Sequence, residues 1–268
     1  MDKMVAFVRY GAMETTDRFS TPDTDVPVGS NVIVRTPRGV EWGLLVQFRR
    51  RVSEAEKIVG QLLREATPSD AEKQKDIEER LEVNEFQTCK RLLAKNELPM
   101  KLVDVEHLFG GHKIIFYFLA EGRVDFRELV RDLAKEYRTR IEMRQIGVRD
   151  EARLMGLVGP CGNEICCRRF LKALKPVPMK LAKDQKSTLD PAKISGTCGR
   201  LKCCLKFEEE LYKILKENLP RRGTKVETAE GAGQVVDYEV IGQTVMVQFD
   251  DGRRQRFPAD DVKVEDGA

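Results

Sequence analysis

Residues 101–120 read KLVDVEHLFGGHKIIFYFLA. Two strand-like runs, 101–108 and 113–120, flank Phe109-Gly110-Gly111-His112, and a Gly-Gly pair between such runs is a hairpin signal. The second run carries Ile114, Ile115, Phe116, Tyr117 and Phe118 without alternation, the pattern of a strand buried on both faces. Downstream, Asp125 opens a helix to about residue 138, with Phe126, Leu129, Val130, Leu133 and Tyr137 on one side. Residues 141–147 return as strand. Upstream, residues 53 to about 95 read as helix in two pieces. Thr67 caps the second piece, with Pro68 at the first helical position and Asp70 three residues after the cap. Ile77, Leu81, Cys89, Leu92 and Leu93 approximate one apolar stripe. Helix, hairpin, helix and strand together make an α+β sandwich with ferredoxin-like layering.

The flanks differ from this block. Residues 1 to about 50 are β-rich, with a turn at Thr36-Pro37-Arg38-Gly39, and read as a small β-barrel. Residues 156–206 are rich in Gly, Pro and Lys and read as loop organised by what the cysteines bind. Residues 207–219 read as a helix stopped by Pro220. The tail, 223–264, carries short strands split by Gly and Asp-Gly turns and reads as an SH3-like β unit. The expected domains are therefore 1–52, 53–155, 156–220 and 221–268.

Bulk composition excludes some classes. In 268 residues, 41% are hydrophobic and 34% charged, enough for a core in a highly charged globular chain. No run approaches the ~18 apolar residues of a membrane span. The first ten residues lack the apolar stretch of a signal peptide, so a cytoplasmic location is expected. The net charge of +3 is uneven. From 161 to 206 there are eleven basic residues and three acids, a local surplus of eight. Such a stretch attracts phosphates or acidic partners. Arg168, Arg169, Lys172, Arg200 and Lys202 are the candidate nucleic-acid or partner contacts; the alternative is a solvated basic surface.

Six of the seven cysteines fall within residues 161–204. Gly159-Pro160-Cys161-Gly162-Asn163-Glu164-Ile165-Cys166-Cys167 recurs as Gly196-Thr197-Cys198-Gly199-Arg200-Leu201-Lys202-Cys203-Cys204. Chance does not easily produce Gly-x-Cys-Gly-x3-Cys-Cys twice. In a reducing compartment, clustered cysteines point to metal or redox chemistry rather than structural disulfides. Thiolates are soft ligands for zinc, copper(I) and iron–sulfur clusters. The glycine after the first cysteine of each copy allows the tight turn that lets sulfurs converge. Nearby Lys and Arg offset the charge of a polythiolate site. Adjacent cysteines cannot easily aim both sulfurs at one ion, so one of each pair is free to pack or to serve a second centre. The spacing matches neither the usual Cys-x2-Cys of structural zinc nor the Cys-x2-Cys-x2-Cys of a common ferredoxin. Iron–sulfur ranks first, zinc second and metal-free thiol redox third.

Cys89, on the apolar stripe, reads as a buried small hydrophobe. His107 and His112 read as structural or exposed. There is no Gly-x-Gly-x2-Gly, P-loop, nucleophile elbow or His-Glu-x2-His. Asp104, Glu106 and Asp125 are acid–base candidates by type alone, so no enzyme is expected.

The two cysteine motifs, the stretch Leu189-Asp190-Pro191-Ala192-Lys193-Ile194-Ser195 before the second, and Arg140-Ile141-Glu142-Met143-Arg144-Gln145-Ile146-Gly147 resemble the YaaT (RicT) family, which carries the PSP-type, polymerase-suppressor C-terminal domain. The resemblance implies a cytoplasmic regulatory subunit acting with RicA- and RicF-like small helical proteins in a complex holding iron–sulfur clusters, of the 4Fe-4S kind. It also implies a link to RNase Y-dependent mRNA processing and to sporulation, competence and biofilm control. By this resemblance the ligand role falls on Cys161, Cys166, Cys167, Cys198, Cys203 and Cys204. The alternative is an RNA-binding scaffold with a structural zinc site.

Overall fold

The computed structural model describes residues 4–21, 25–50, 57–171 and 174–264. The chain divides into two compact units, Met1–Lys172 and Ala173–Ala268.

The first unit begins with a closed barrel of five strands, in the order β1-β2-β5-β3-β4. They are β1 (Met4–Tyr10), β2 (Thr15–Ser20), β3 (Asn31–Arg35), β4 (Val40–Arg50) and β5 (Gly60–Glu65). Ala6, Val8, Phe19, Val32, Val34, Leu45 and Leu62 fill it. β5 corrects the expectation of helix across residues 53–95. Gln61-Leu62-Leu63-Arg64 has good helix formers, but Leu62 completes the barrel core, and pairing with β2 and β3 satisfies the backbone. Tertiary pairing overrides propensity here. Gly60 is required at the entry to β5, because a Cβ there would lie 1.9 Å from the Arg35 carbonyl oxygen.

The helical reading holds from residue 68. α1 (Pro68–Asp76) starts with a reciprocal cap: Thr67 Oγ1 accepts from the Asp70 N–H, and the Asp70 carboxylate accepts from the Thr67 N–H at 2.8 Å. One π-helical turn, Ile77–Leu81, leads into α2 (Glu82–Lys95). The sheet that follows has order β6-β7-β8, with β6 (Lys101–His107) antiparallel and β8 (Arg140–Gln145) parallel to β7 (Lys113–Leu119). α3 (Arg127–Tyr137) makes the crossover. β8 thus lies directly beside β7, which departs from a ferredoxin-like arrangement, where a strand separates the two. α2 and α3 cover one face through Cys89, Leu93, Leu129 and Leu133, packed on Leu102, Val105, Ile114 and Phe116. Ile115 and Tyr117 face the other side, with Leu108, Ile146 and Met13. The central strand is therefore buried on both faces, as its unbroken apolar run requires.

Arg38, from the Thr36–Gly39 turn, ties barrel to sandwich. Its guanidinium donates to both carboxylate oxygens of Glu106 at 2.8 Å and to Glu41. The Tyr117 hydroxyl donates to Glu106 at 2.5 Å. Glu41 and Glu106 are only 2% and 6% exposed, so the arginine compensates two buried charges.

Among the described residues, the second unit holds the α-helices α6 (Met179–Asp184), α7 (Pro191–Ile194), α8 (Cys204–Phe207) and α9 (Glu209–Glu217). A five-stranded antiparallel sheet follows, built from β9 (Lys225–Thr228), β10 (Gly231–Glu239), β11 (Thr244–Gln248), β12 (Arg254–Pro258) and β13 (Lys263–Val264). Its order is β12-β11-β10-β9-β13. Tyr212 and Leu215 of α9 pack on a core of Val226, Val235, Val245, Val247, Phe249 and Phe257. A second cluster, Leu181, Ala182, Ile194 and Leu205, joins the short helices.

Candidate functional site

The two cysteine motifs fold alike. In the first, the Gly159 N–H donates to the Asn163 carbonyl at 2.8 Å and the Gly162 N–H to the Gly159 carbonyl at 3.0 Å. In the second, Gly196 donates to Arg200 at 2.8 Å and Gly199 to Gly196 at 2.9 Å. One β-bridge flanks each turn, Val158 with Glu164 and Ser195 with Leu201. A further bond closes each base: Ile165 to Leu157 at 3.3 Å, and Lys202 to Ile194 at 2.9 Å. This is a three-residue hairpin loop, Pro160-Cys161-Gly162 or Thr197-Cys198-Gly199, whose last residue takes a positive φ. Gly162 has φ +79° and Gly199 φ +73°, the conformation glycine adopts without Cβ strain. The first cysteine of each copy therefore sits at the tip of a hairpin.

The chain then winds into a short helix. The Phe170 N–H donates to the Cys166 carbonyl at 3.0 Å, and the Phe207 N–H to the Cys203 carbonyl at 3.1 Å. α5 (Cys166–Arg169) thus carries Cys166 and Cys167, and α8 carries Cys204 with Cys203 as its N-cap. Neighbouring residues of a helix point about 100° apart, so each pair splits its sulfurs between directions. Cys161 is exposed, Cys166 half-buried and Cys167 buried; Cys198, Cys203 and Cys204 are all half-buried.

The repeat is divided between the units, with Cys161, Cys166 and Cys167 in the first and Cys198, Cys203 and Cys204 in the second. Among the described residues, no three His, Cys, Asp or Glu side chains gather as a metal-holding group. In donor chemistry the residues suit a thiolate-ligated centre: six cysteines and two turns that share one backbone hydrogen-bond pattern. Arg153, in the last turn of α4 (Val148–Leu154), is half-buried, and its Nε and Nη2 have no hydrogen-bond partner. No sequence signal marks it, because only the fold buries it.

The basic candidates are not equivalent. Arg168 bonds Glu14 at 2.7 Å and pairs with Glu164 at 3.0 Å, so its charge is already engaged. Arg169 and Arg200 are exposed and Lys202 is half-buried. Lys172 lies outside the described residues.

Cys89 is fully buried among Leu93, Leu129 and Leu133, and burial pushes its thiol up to about 12, as expected of a packed small hydrophobe. The His107 ring bonds Glu85 at 2.7 Å and His112 is exposed. Of the acids singled out by type, Asp104 is half-buried and burial raises its carboxyl above the usual range, while the other two have structural partners. Glu106 serves Arg38 and Tyr117, and exposed Asp125 pairs with Arg127. A cleft of about 420 Å³ in the first unit is lined by Glu78, Glu82, Asp104 and Glu106. Burial and the carboxylates around it push Glu82 up to about 8, and its carboxyl accepts from the His107 N–H at 2.9 Å.

The "Stage 0 sporulation protein YaaT" of Bacillus subtilis (strain 168) is 47% identical over 222 residues, 82% of this chain and 80% of its own length. The chain belongs to the YaaT family. A family model described as the PSP1 C-terminal conserved region matches residues 60–146, from β5 just past β8. A second, described as the third domain of PSP1-like protein, matches 176–219, which contains the second cysteine turn. An uncharacterised protein of Schizosaccharomyces pombe is 39% identical over 84 residues, 31% of this chain and 11% of its own length. Protein PSP1 of Saccharomyces cerevisiae is 42% identical over 48 residues, 18% of this chain and 6% of its own length. The part shared with these two fungal proteins is therefore a small fraction of them. No solved structure matches the chain. No helix among the described residues is long and apolar enough to cross a membrane.

Proposed function

We propose that this member of the YaaT family is a non-enzymatic, cytoplasmic regulatory subunit holding a thiolate-ligated centre, iron–sulfur of the 4Fe-4S kind. Cys161, Cys166, Cys167, Cys198, Cys203 and Cys204 supply the thiolates. The observation that carries this reading is the duplicated turn: two segments with different neighbours keep one hydrogen-bond pattern around Cys-Gly and Cys-Cys. Backbone geometry repeated around cysteines is explained by a ligand that needs the sulfurs presented. Bound there, an iron–sulfur centre would supply electron exchange or a redox- and oxygen-sensitive assembly state. The chain's own part is to aim the sulfurs and surround them with positive charge. The name of the Bacillus subtilis relative supports a role in sporulation control. The family resemblance adds competence and biofilm control, RNase Y-linked mRNA processing, and RicA- and RicF-like partners where present.

A second reading, an RNA-binding scaffold with structural zinc, draws on the basic surplus, with Arg169 and Arg200 exposed beside the turns, and on the SH3-like reading of the tail. Anaerobic purification with a visible spectrum and iron, sulfide and zinc analysis decides between them. A charge-transfer band near ~400 nm with matched iron and sulfide is expected. Stoichiometric zinc without colour moves the assignment to the scaffold.

A further inference from the structure

A groove of about 610 Å³ lies in the second unit where α9 hands over to β9. Lys213 and Lys216 of α9, Arg221 and Arg222 of the turn after it, and Tyr238 of β10 line it, together with the apolar Leu219 and Pro220. From 213 to 225 the chain holds five basic residues and one acid, Glu217, which also lines the groove. Lys213 pairs with Glu209 at 2.8 Å, and Arg222 pairs with Asp237. Lys216 and Arg221 are exposed and have no ion pair among the described residues. The turn that carries the arginines is fastened to the sheet. The Gly223 N–H donates to the Val235 carbonyl at 2.8 Å, and the Val235 N–H to the Thr224 carbonyl at 3.0 Å. Tyr238 is half-buried, with Lys186 Nζ 4.1 Å and Arg222 Cζ 6.0 Å from its ring centroid. The same ring borders a second cleft of about 480 Å³, lined also by Tyr212, Lys186 and Arg256.

We propose that this groove binds single-stranded nucleic acid, its cations facing phosphates and Tyr238 offering a surface on which a base stacks. Cations alone would suit any polyanion. The aromatic and apolar lining separates the candidates. An unpaired strand brings flat base faces next to its phosphates, and a basic groove with an aromatic ring matches both. An acidic peptide brings carboxylates and has no use for the ring. A duplex keeps its base faces stacked inside and offers mainly phosphates and groove edges. Lys216 and Arg221 have no counter-charge of their own, so a phosphate there displaces no internal ion pair. The site lies beyond residues 161–206, where the basic surplus of the sequence drew attention, because only the fold brings Tyr238 to the cations after α9. It needs no zinc and does not rest on the thiolate-centre reading.

The test is fluorescence anisotropy of a labelled oligouridine, about twelve nucleotides long, titrated with the full chain between about 50 and 200 mM salt. Wild type is expected to bind with an affinity that falls steeply as salt rises. Replacing Lys216 and Arg221 together by Gln, at exposed positions without ion pairs, is expected to weaken binding about tenfold or more. It is also expected to flatten the log–log salt slope by about 1.4, at about 0.7 for each lost phosphate contact. Tyr238→Leu is expected to weaken binding about fivefold or more while leaving the salt slope unchanged, because stacking releases no counterions. Oligothymidine bound in the same way supports the same groove with DNA as the source of the strand. Unchanged affinity in the Lys216→Gln, Arg221→Gln variant, or no binding by wild type, overturns the site. Oligoglutamate displacing the strand as well as unlabelled oligouridine does, with Tyr238→Leu binding like wild type, overturns nucleic acid as the ligand in favour of an acidic protein.

Discussion

The two cysteine turns share one backbone and have different anchors. In the first, the residue after Cys166-Cys167 is Arg168, held by Glu14 and Glu164. In the second, the corresponding residue is Leu205, 7% exposed and packed on Leu181, Ala182 and Ile194. One turn is pinned by charge, the other by apolar burial. The surroundings differ as well: the first turn has one exposed, one half-buried and one buried cysteine, while all three cysteines of the second are half-buried. What the copies keep is the geometry that aims sulfur. What they vary is how that geometry is fastened to a core, which is the pattern expected when the shared demand comes from a ligand rather than from packing.

The largest effect comes from removing the scaffold under the first turn alone. Arg38→Ala leaves Glu41 and Glu106 buried without their cation and is expected to cost about 3–5 kcal/mol. Urea unfolding reads the loss, and hydrogen exchange is expected to locate it in the barrel and the β6-β7-β8 sheet.

The anchors themselves come next. Leu205→Ala removes buried apolar volume and is expected to cost about 2–4 kcal/mol. Its counterpart, Arg168→Ala, breaks a partly exposed ion pair and is expected to cost about 1 kcal/mol or less. Equal losses in thermal or urea unfolding would erase the distinction drawn between the anchors.

The smallest effect tests what the turns share. Gly162→Ala and Gly199→Ala each force a Cβ onto positive φ, where neither position has a neighbouring heavy atom within 4 Å. The cost is then backbone strain alone, about 1–2 kcal/mol at each site. Differential scanning calorimetry of the two variants is expected to give matching losses. A clear inequality would mean that the two turns are strained differently and are not one motif.

Much of this was legible in the sequence because the signals were local. The Phe109-Gly110-Gly111-His112 turn, the Thr67–Asp70 cap, the doubly buried Ile114–Phe118 run and the cysteine repeat each lie within a few residues. What was not legible depended on distant partners. Gly60–Glu65 has helix-forming residues and becomes a strand because β2 and β3 offer edges about thirty or more residues away in sequence. Arg38 sits in an ordinary turn, and only the fold brings Glu106 to it. The parallel placement of β8 beside β7 is a choice of topology that periodicity does not encode. Arg153 is one of many basic residues until burial shows that two of its nitrogens lack partners.

The central claim is that both cysteine turns present thiolates to a bound metal. The direct test is iron, sulfide and zinc content per chain in three anaerobically purified proteins. One is wild type; one replaces Cys161, Cys166 and Cys167 with serine, and one replaces Cys198, Cys203 and Cys204 with serine. Loading of wild type, with bound metal lowered in both variants, is the predicted result. A variant lacking either turn's cysteines yet holding the full wild-type complement would contradict it.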